Sequence, residues 1–266
     1  MMPKVGQQPS TLAQGDLHAG SNEHLSQSEI KGESINKEPN PLILALLGKS
    51  YDLRNEAPGV STGLPAIDDE VRQRIAAEEL SHVPTSVEVI ACLSHTGLLN
   101  YSSDVRESAF SSLANHDKSL AAAVTFAATF STDSEFRERA LSSLFEIDPC
   151  LAAQRAEVLK SSDPNSSVKR FAEELLIDYS DVQLQQANPV SKDSESTGKL
   201  IAEILYNKSA KEIERIECLE QLVKTQSVVA AVVLSSIQAD PESLIGRKVP
   251  GLLKQNFPEL FRILSN

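Results

Sequence analysis

The 266 residues contain no tryptophan, two methionines and three cysteines, and aromatic side chains make up 5% of the chain. Cys92, Cys150 and Cys218 are odd in number, far apart and without a C-x-x-C pair. That argues against a disulfide framework or a cysteine zinc site. Each cysteine is followed by Leu within an apolar stretch and reads as a reduced core thiol. Long hydrophobic runs are missing too. The longest early one, Leu42–Leu47, is far too short to span a bilayer. The polar N-terminus lacks the apolar core of a signal peptide. Together these features predict a reducing cytosol and no membrane contact. Positive charge is scarce, with 25 Lys and Arg against 37 Asp and Glu and a net charge of −12. That opposes a nucleic-acid or anionic-membrane partner, both of which need clustered basic residues.

Catalytic signatures fail on inspection. Gly59–Gly63 matches G-x-S-x-G, but Pro58 and Pro65 flank it and no strand reads on either side. Ser61 is therefore a linker residue and not a nucleophile. Gly48-Lys49-Ser50 resembles the end of a phosphate loop. Such a loop needs a glycine at position 43, where Ile43 stands. The five histidines form no H-x-x-x-H pair. His18 and His24 lie in the polar tail, and His82, His95 and His116 fall near predicted helix ends as solvated or capping groups. The expectation is no catalysis, no metal and no cofactor.

What the chain does have is a recurring frame. Asp104–Leu113 reads DVRESAFSSL, Asp133–Leu144 DSEFRERALSSL and Asp163–Leu176 DPNSSVKRFAEELL, with a more divergent DDEVRQRIAAEEL over Asp68–Leu80. An acidic turn precedes Val or Phe, then Arg or Lys, then a small residue, then Leu. Val105, Ala109 and Leu113 stand at i, i+4 and i+8, along one side of a helix. Phe136, Ala140 and Leu144 do the same, as do Val168, Ala172 and Leu176. The small middle residue lets a neighbouring helix come close. The basic residues Arg72, Arg106, Arg137 and Lys169 are spaced 34, 31 and 32 residues apart. That period is one helix–turn–helix unit, too thin to bury its own apolar face, so such units stack. Very apolar second helices are predicted between the frames, over Ser86–Leu99, Asp117–Phe130 and Asp148–Leu159. In the Asp68 copy Ile75 takes the small position and Glu79 the Leu position, as in a first or worn unit.

The frame resembles the HEAT repeat, in particular the short phycobilisome-lyase-type variety with the pattern D-P-D-P-E-V-R-x-x-A-x-x-x-L. The likeness covers roughly residues 67–178. It implies an all-α fold, a right-handed α-solenoid of about five HEAT-like helical hairpins. It also implies that the frame's basic residue pairs with the turn Asp of a neighbouring unit. Metal-binding HEAT enzymes use His-Glu pairs, and no His here precedes Glu. The phycobilisome lyase subunits use the repeat to hold a bilin or its carrier protein, and nothing else in this sequence points to a tetrapyrrole.

Five segments follow. Residues 1–40 read as a disordered tail. Residues 41–65 hold the short apolar helix of PLILALLG and a linker. That helix either caps the first unit or docks on another protein. Residues 66–182 carry the repeats, and the Gln- and Ser-rich 183–199 reads as a flexible loop. Residues 200–266 hold a helix at Leu200–Tyr206, a further frame at Lys211–Leu222 with Arg215, Cys218 and Leu222 in the Arg, Ala and Leu positions, a partner helix at Val228–Ile237 and a terminal cap over Pro250–Leu264. Phe257 and Phe261 sit on the apolar side of that cap or anchor a partner.

The functional expectation is a non-catalytic protein–protein interaction scaffold, adaptor or assembly factor. The alternative is a lyase- or modification-enzyme subunit that holds a substrate protein. Two and six residues after the frame's Val or Phe, side chains point away from the core. This row, Glu107, Ser111, Glu138, Ser142, Arg170 and Glu174, is the predicted contact surface for a protein partner on the concave helical face.

Overall fold

Helices start where the turns place a capping side chain. Asp68, Ser86, Ser102, Asp117, Asp133 and Asp148 each accept a hydrogen bond from a backbone N–H in the first turn of the helix that follows. The helices they open are α2 (Asp69–Leu80), α3 (Val87–Leu99), α4 (Ser103–His116), α5 (Lys118–Ala128), α6 (Ser134–Ile147) and α7 (Pro149–Ser162). Asp117 closes α4 and opens α5, and Asp148 does the same between α6 and α7. The computed structural model describes residues 39–49, 68–183, 192–207, 211–225, 227–237 and 242–265. Its other helices are α1 (Pro41–Leu46), α8 (Ser166–Gln183), α9 (Lys192–Tyr206), α10 (Glu212–Thr225), α11 (Ser227–Ser236), α12 (Leu244–Asn256) and α13 (Pro258–Ser265). The described residues contain no strand, so the fold is all-α. None of these helices is long and apolar enough to cross a membrane.

The frame is the core-facing stripe in three helices. Val105, Ala109, Leu113, Phe136, Ala140, Leu144, Val168 and Ala172 are all buried. In α8 the buried leucine is Leu175, and Leu176 is half-buried. The first copy sits one residue out of its predicted register. Val71 and Ile75 are 38% and 43% exposed, while Gln73, Ala76, Ala77 and Leu80 face inward. Ala76 and Leu80 thus take the places of Ala109 and Leu113, and Gln73 takes that of Arg106. Gln73 accepts from the Asn100 amide at 3.0 Å, and Arg106 donates to the Asn100 carbonyl at 3.0 Å.

Four helices, α2, α4, α6 and α8, pack in succession as one row. A second row, α3, α5 and α7, packs behind it, and α1 lies against α2 and α3. The apolar segment at 41–47 therefore caps the first hairpin, with Ile43 and Leu46 buried. Gly48 ends α1 at φ 66°, a conformation that favours glycine. Gly48 is thus a helix cap, and Ser50 lies outside the described residues.

After α8 the chain folds back. α9 packs on α5, while α11 and α13 pack on α3; α10 and α12 lie outside them. Ser119 and Ser194 share a hydrogen bond at 2.8 Å, and Gly198 lies against Ala123 and Phe126, so α9 runs in the same direction as α5. This second cover explains why α3 and α5 are apolar all round. In α5 every residue from Leu120 to Ala128 is buried. Each fully buried Leu or Val there contributes about 1.5–3 kcal/mol.

Two segment boundaries move. α9 begins at Lys192, inside the stretch predicted as a flexible loop over 183–199, because Ser194 and Gly198 are buried on α5. Residues 184–191 lie outside the described set, as do residues 1–38 and 50–67 with Ser61. The terminal cap is two helices broken at Phe257, which caps α12 and precedes Pro258. Phe257 and Phe261 are half-buried against the core.

The three helices laid against the second row have their C-terminal carbonyls met by donors from elsewhere. Arg215 donates to Ile204 O of α9. His95 donates through Nδ1 to Ser235 O of α11. Lys49 Nζ donates to Ile263 O of α13 at 2.6 Å. His95 therefore bonds the second row to α11 and is not a solvated helix end. Burial, with the Lys49 charge nearby, holds its pKa below the ordinary 6.5 against the effect of the Ser235 bond. As pH falls below 6.5, the unfolded chain takes up a proton that the folded chain refuses, so this contribution to stability is lost downward from that point. Urea unfolding at about pH 7.5 and about pH 5 should show a larger fall for the wild type than for His95→Gln.

Candidate functional site

The outer side of the first row is built by contacts between successive hairpins. Ser102 donates to Glu70 at 2.7 Å, linking α4 to α2. Arg106 lies 4.1 Å over the Phe136 ring, linking α4 to α6. Burial lowers the Arg106 pKa, against the opposing charges of Asp133 and Glu135. Arg137 reaches forward to the next turn, donating to both carboxylate oxygens of Asp163 at 2.8 and 2.7 Å. This is the predicted pairing between a frame Arg and a neighbouring turn Asp, and Arg137 makes it. Arg72 pairs with Asp69 of its own helix at 2.9 Å. His116 caps across hairpins, donating from Nε2 to Leu80 O at 2.8 Å and accepting from the Thr85 hydroxyl at 3.0 Å.

These links fix the spacing of the row, and its solvent side carries the predicted contact residues. Ser111, Arg170 and Glu174 are exposed; Glu107, Glu138 and Ser142 are half-buried. They occupy equivalent positions on α4, α6 and α8. Three of them have ion partners. Glu107 meets Arg139 of α6 at 3.4 Å, and Arg170 meets Glu174 at 3.8 Å within α8. Arg139 is thus part of this surface although the frame did not single it out. Its signal was available, since it stands three residues after Phe136 on the solvent side. Ile177 on α8 is 66% exposed. On α6 and α8 the carboxylates Glu135, Glu138, Glu146, Glu173, Glu174 and Asp178 outnumber Arg139, Lys169 and Arg170, so the surface is acidic.

The cysteines divide. Cys92 is fully buried, and its thiol pKa is pushed up to about 12 by burial, then by Glu88, against the pull of Lys49. Cys150 is half-buried, with Sγ 3.2 Å from the Tyr179 hydroxyl. Cys218 is exposed, which corrects its reading as a core thiol: α10 turns Leu219 and Leu222 inward instead. No group of three His, Cys, Asp or Glu among the described residues is arranged to hold a metal ion. No protein-family model, curated protein or solved structure matches this chain.

Proposed function

We propose that the chain is a non-catalytic protein–protein interaction scaffold or adaptor, built on a stack of HEAT-like hairpins whose first row receives a protein partner. The observation that carries this reading is the outer side of α4, α6 and α8. There, equivalent positions on successive helices present Glu107 and Ser111, Glu138 and Ser142, and Arg170 and Glu174 to solvent at a fixed spacing. The other side of α3 and α5 is covered by the C-terminal helices. The long face that remains accessible on the repeats is therefore this outer one. Its excess of carboxylates favours a partner with a basic surface over nucleic acid or an anionic membrane.

The test is affinity purification with mass spectrometry, using wild type and a Glu107→Lys, Glu138→Lys double variant. The wild type should retain a stoichiometric protein that the variant loses. The variant's Tm should stay within about 2 °C, because an exposed pair such as Glu107–Arg139 is worth under about 1 kcal/mol. Equal recovery by both proteins would make the row ordinary solvated surface. A co-purifying pigment, or a substrate protein released in modified form, would favour the enzyme-subunit reading.

A further inference from the structure

The α9–α10 hairpin stays open along a face that earlier hairpins close. In α4 and α6 the frame's three positions, Val105, Ala109 and Leu113, then Phe136, Ala140 and Leu144, are 4% exposed or less. They are the surfaces on which neighbouring helices pack. The frame's basic residue sets the register. Arg106 donates to Asn100 O and Arg137 to Ser131 O, each just past the end of the preceding helix. Arg215 likewise donates to Ile204 O near the end of α9. Counted from Arg215, the same three positions in α10 are Glu214, Cys218 and Leu222. Glu214 and Cys218 are exposed, and Leu222, 3% exposed, is the buried floor beneath them; together they border an open groove of about 670 Å³ with Leu200 of α9 opposite. The small middle residue, which elsewhere lets a helix approach closely, is here an exposed thiol.

We infer that this groove docks one amphipathic helix of a protein partner, its apolar stripe on Leu200 and Cys218 and a Lys- or Arg-bearing edge against Glu214 and Glu217. Charge selects the edge: Glu214 and Glu217 both line the groove, and neither has an ion-pair partner among the described residues. Geometry selects the helix. The groove runs along α10 from Glu214 to Thr225, about three turns, or roughly 16 Å at 1.5 Å per residue. Its walls are helices whose backbone groups are already paired. An extended peptide would find no ladder to join, whereas a helix brings its own backbone bonds. The site is separate from the outer side of the first row and stands whether or not that row binds a partner.

Occupancy can be read at Cys218 in the full-length chain by alkylation with N-ethylmaleimide and peptide mapping, which distinguishes it from Cys92 and Cys150. The probe is a synthetic helical peptide with Leu at i, i+3, i+4 and i+7 and Lys on both edges. The control carries Glu in place of Lys. The Lys peptide should slow alkylation of Cys218 about tenfold at saturation and the Glu peptide should not. A Glu214→Lys, Glu217→Lys variant should reverse that preference. The Glu107→Lys, Glu138→Lys protein should behave as wild type, which separates this site from the first row. Unchanged alkylation with both peptides would overturn the proposal, as would equal protection by both or protection by the Lys peptide that survives the charge reversal. Protection that rises with protein concentration alone would assign the groove to a second copy of this chain and overturn it as well.

Discussion

Arg137→Ala should lose about 3–5 kcal/mol of unfolding free energy at neutral pH. Arg137 and Asp163 are 7% and 4% exposed. Truncation removes two hydrogen bonds from the carboxylate and leaves the carbonyls of Ser131 and Thr132 without their donor. Asp163 then keeps the N–H of Asn165 at 2.8 Å and the more distant charge of Arg155. In the wild type, burial pulls the Asp163 pKa up, but the Arg137 bond, the Asn165 N–H and the charges of Arg137 and Arg155 together hold it below its ordinary 3.8. The pair's stabilisation is therefore present above about pH 4 and lost as pH falls through the folded pKa. In the variant, burial acts on Asp163 without Arg137, so acid neutralises the orphaned carboxylate. The difference between the two proteins should shrink at about pH 3. Guanidinium unfolding at both pH values checks this. A loss below about 1 kcal/mol at neutral pH would place the pair in the class of solvated surface bridges.

Gly198→Leu should detach the C-terminal helices from the second row. A Cβ at Gly198 would lie 2.7 Å from the carbonyl oxygen of Ala123 and 2.7 Å from the Phe126 ring. The carbonyl belongs to the backbone of α5 and cannot rotate aside as a side chain would, so α9 must move away. The cost should exceed the 1–3 kcal/mol typical of overpacking by roughly the loss of inter-row burial around it. Protease cleavage within α9–α13 should precede cleavage of α2–α8. Gly251→Ala supplies the opposite sign. Nothing lies within 4 Å of a Cβ at that exposed position in α12. Replacing glycine by alanine in a helix interior should there raise stability by up to about 1 kcal/mol.

The sequence carried the first row well, because α4, α6 and α8 each bury one stripe and the stripe repeats. It misled at α2, where Val71-Arg72 imitates the frame and a helix at the end of a row is free to expose apolar residues on its outer side. The fold-back was also written in the sequence, in a contrast between the second helices. Counted from their caps, Cys92 and His95 in α3 correspond to Ala123 and Phe126 in α5 and to Gln154 and Glu157 in α7. The first two pairs lie under C-terminal helices; Gln154 and Glu157 are exposed. Treating the three helices as one very apolar class concealed that difference. Residues 192–199 were illegible for another reason. Lys-Asp-Ser-Glu-Ser-Thr-Gly-Lys has weak helix propensity, and its helix rests on small side chains fitting against α5. The outer contact row follows from the stripe by subtraction. The α9–α10 groove does not, because helical periodicity cannot tell whether two helices close against each other.

The doubled-back packing also governs how this chain can change in length. In an open array each hairpin touches only its neighbours, so whole repeats can be gained or lost by duplication and deletion. Here α11 is seated on α3 and α9 on α5. Duplicating the α4–α5 hairpin would place a second all-apolar helix in water without a matching cover. Deleting it would leave α9 without a seat. Repeat number in the first half is thus tied to helix number in the second, and inheritance of a longer or shorter array requires both halves to change together.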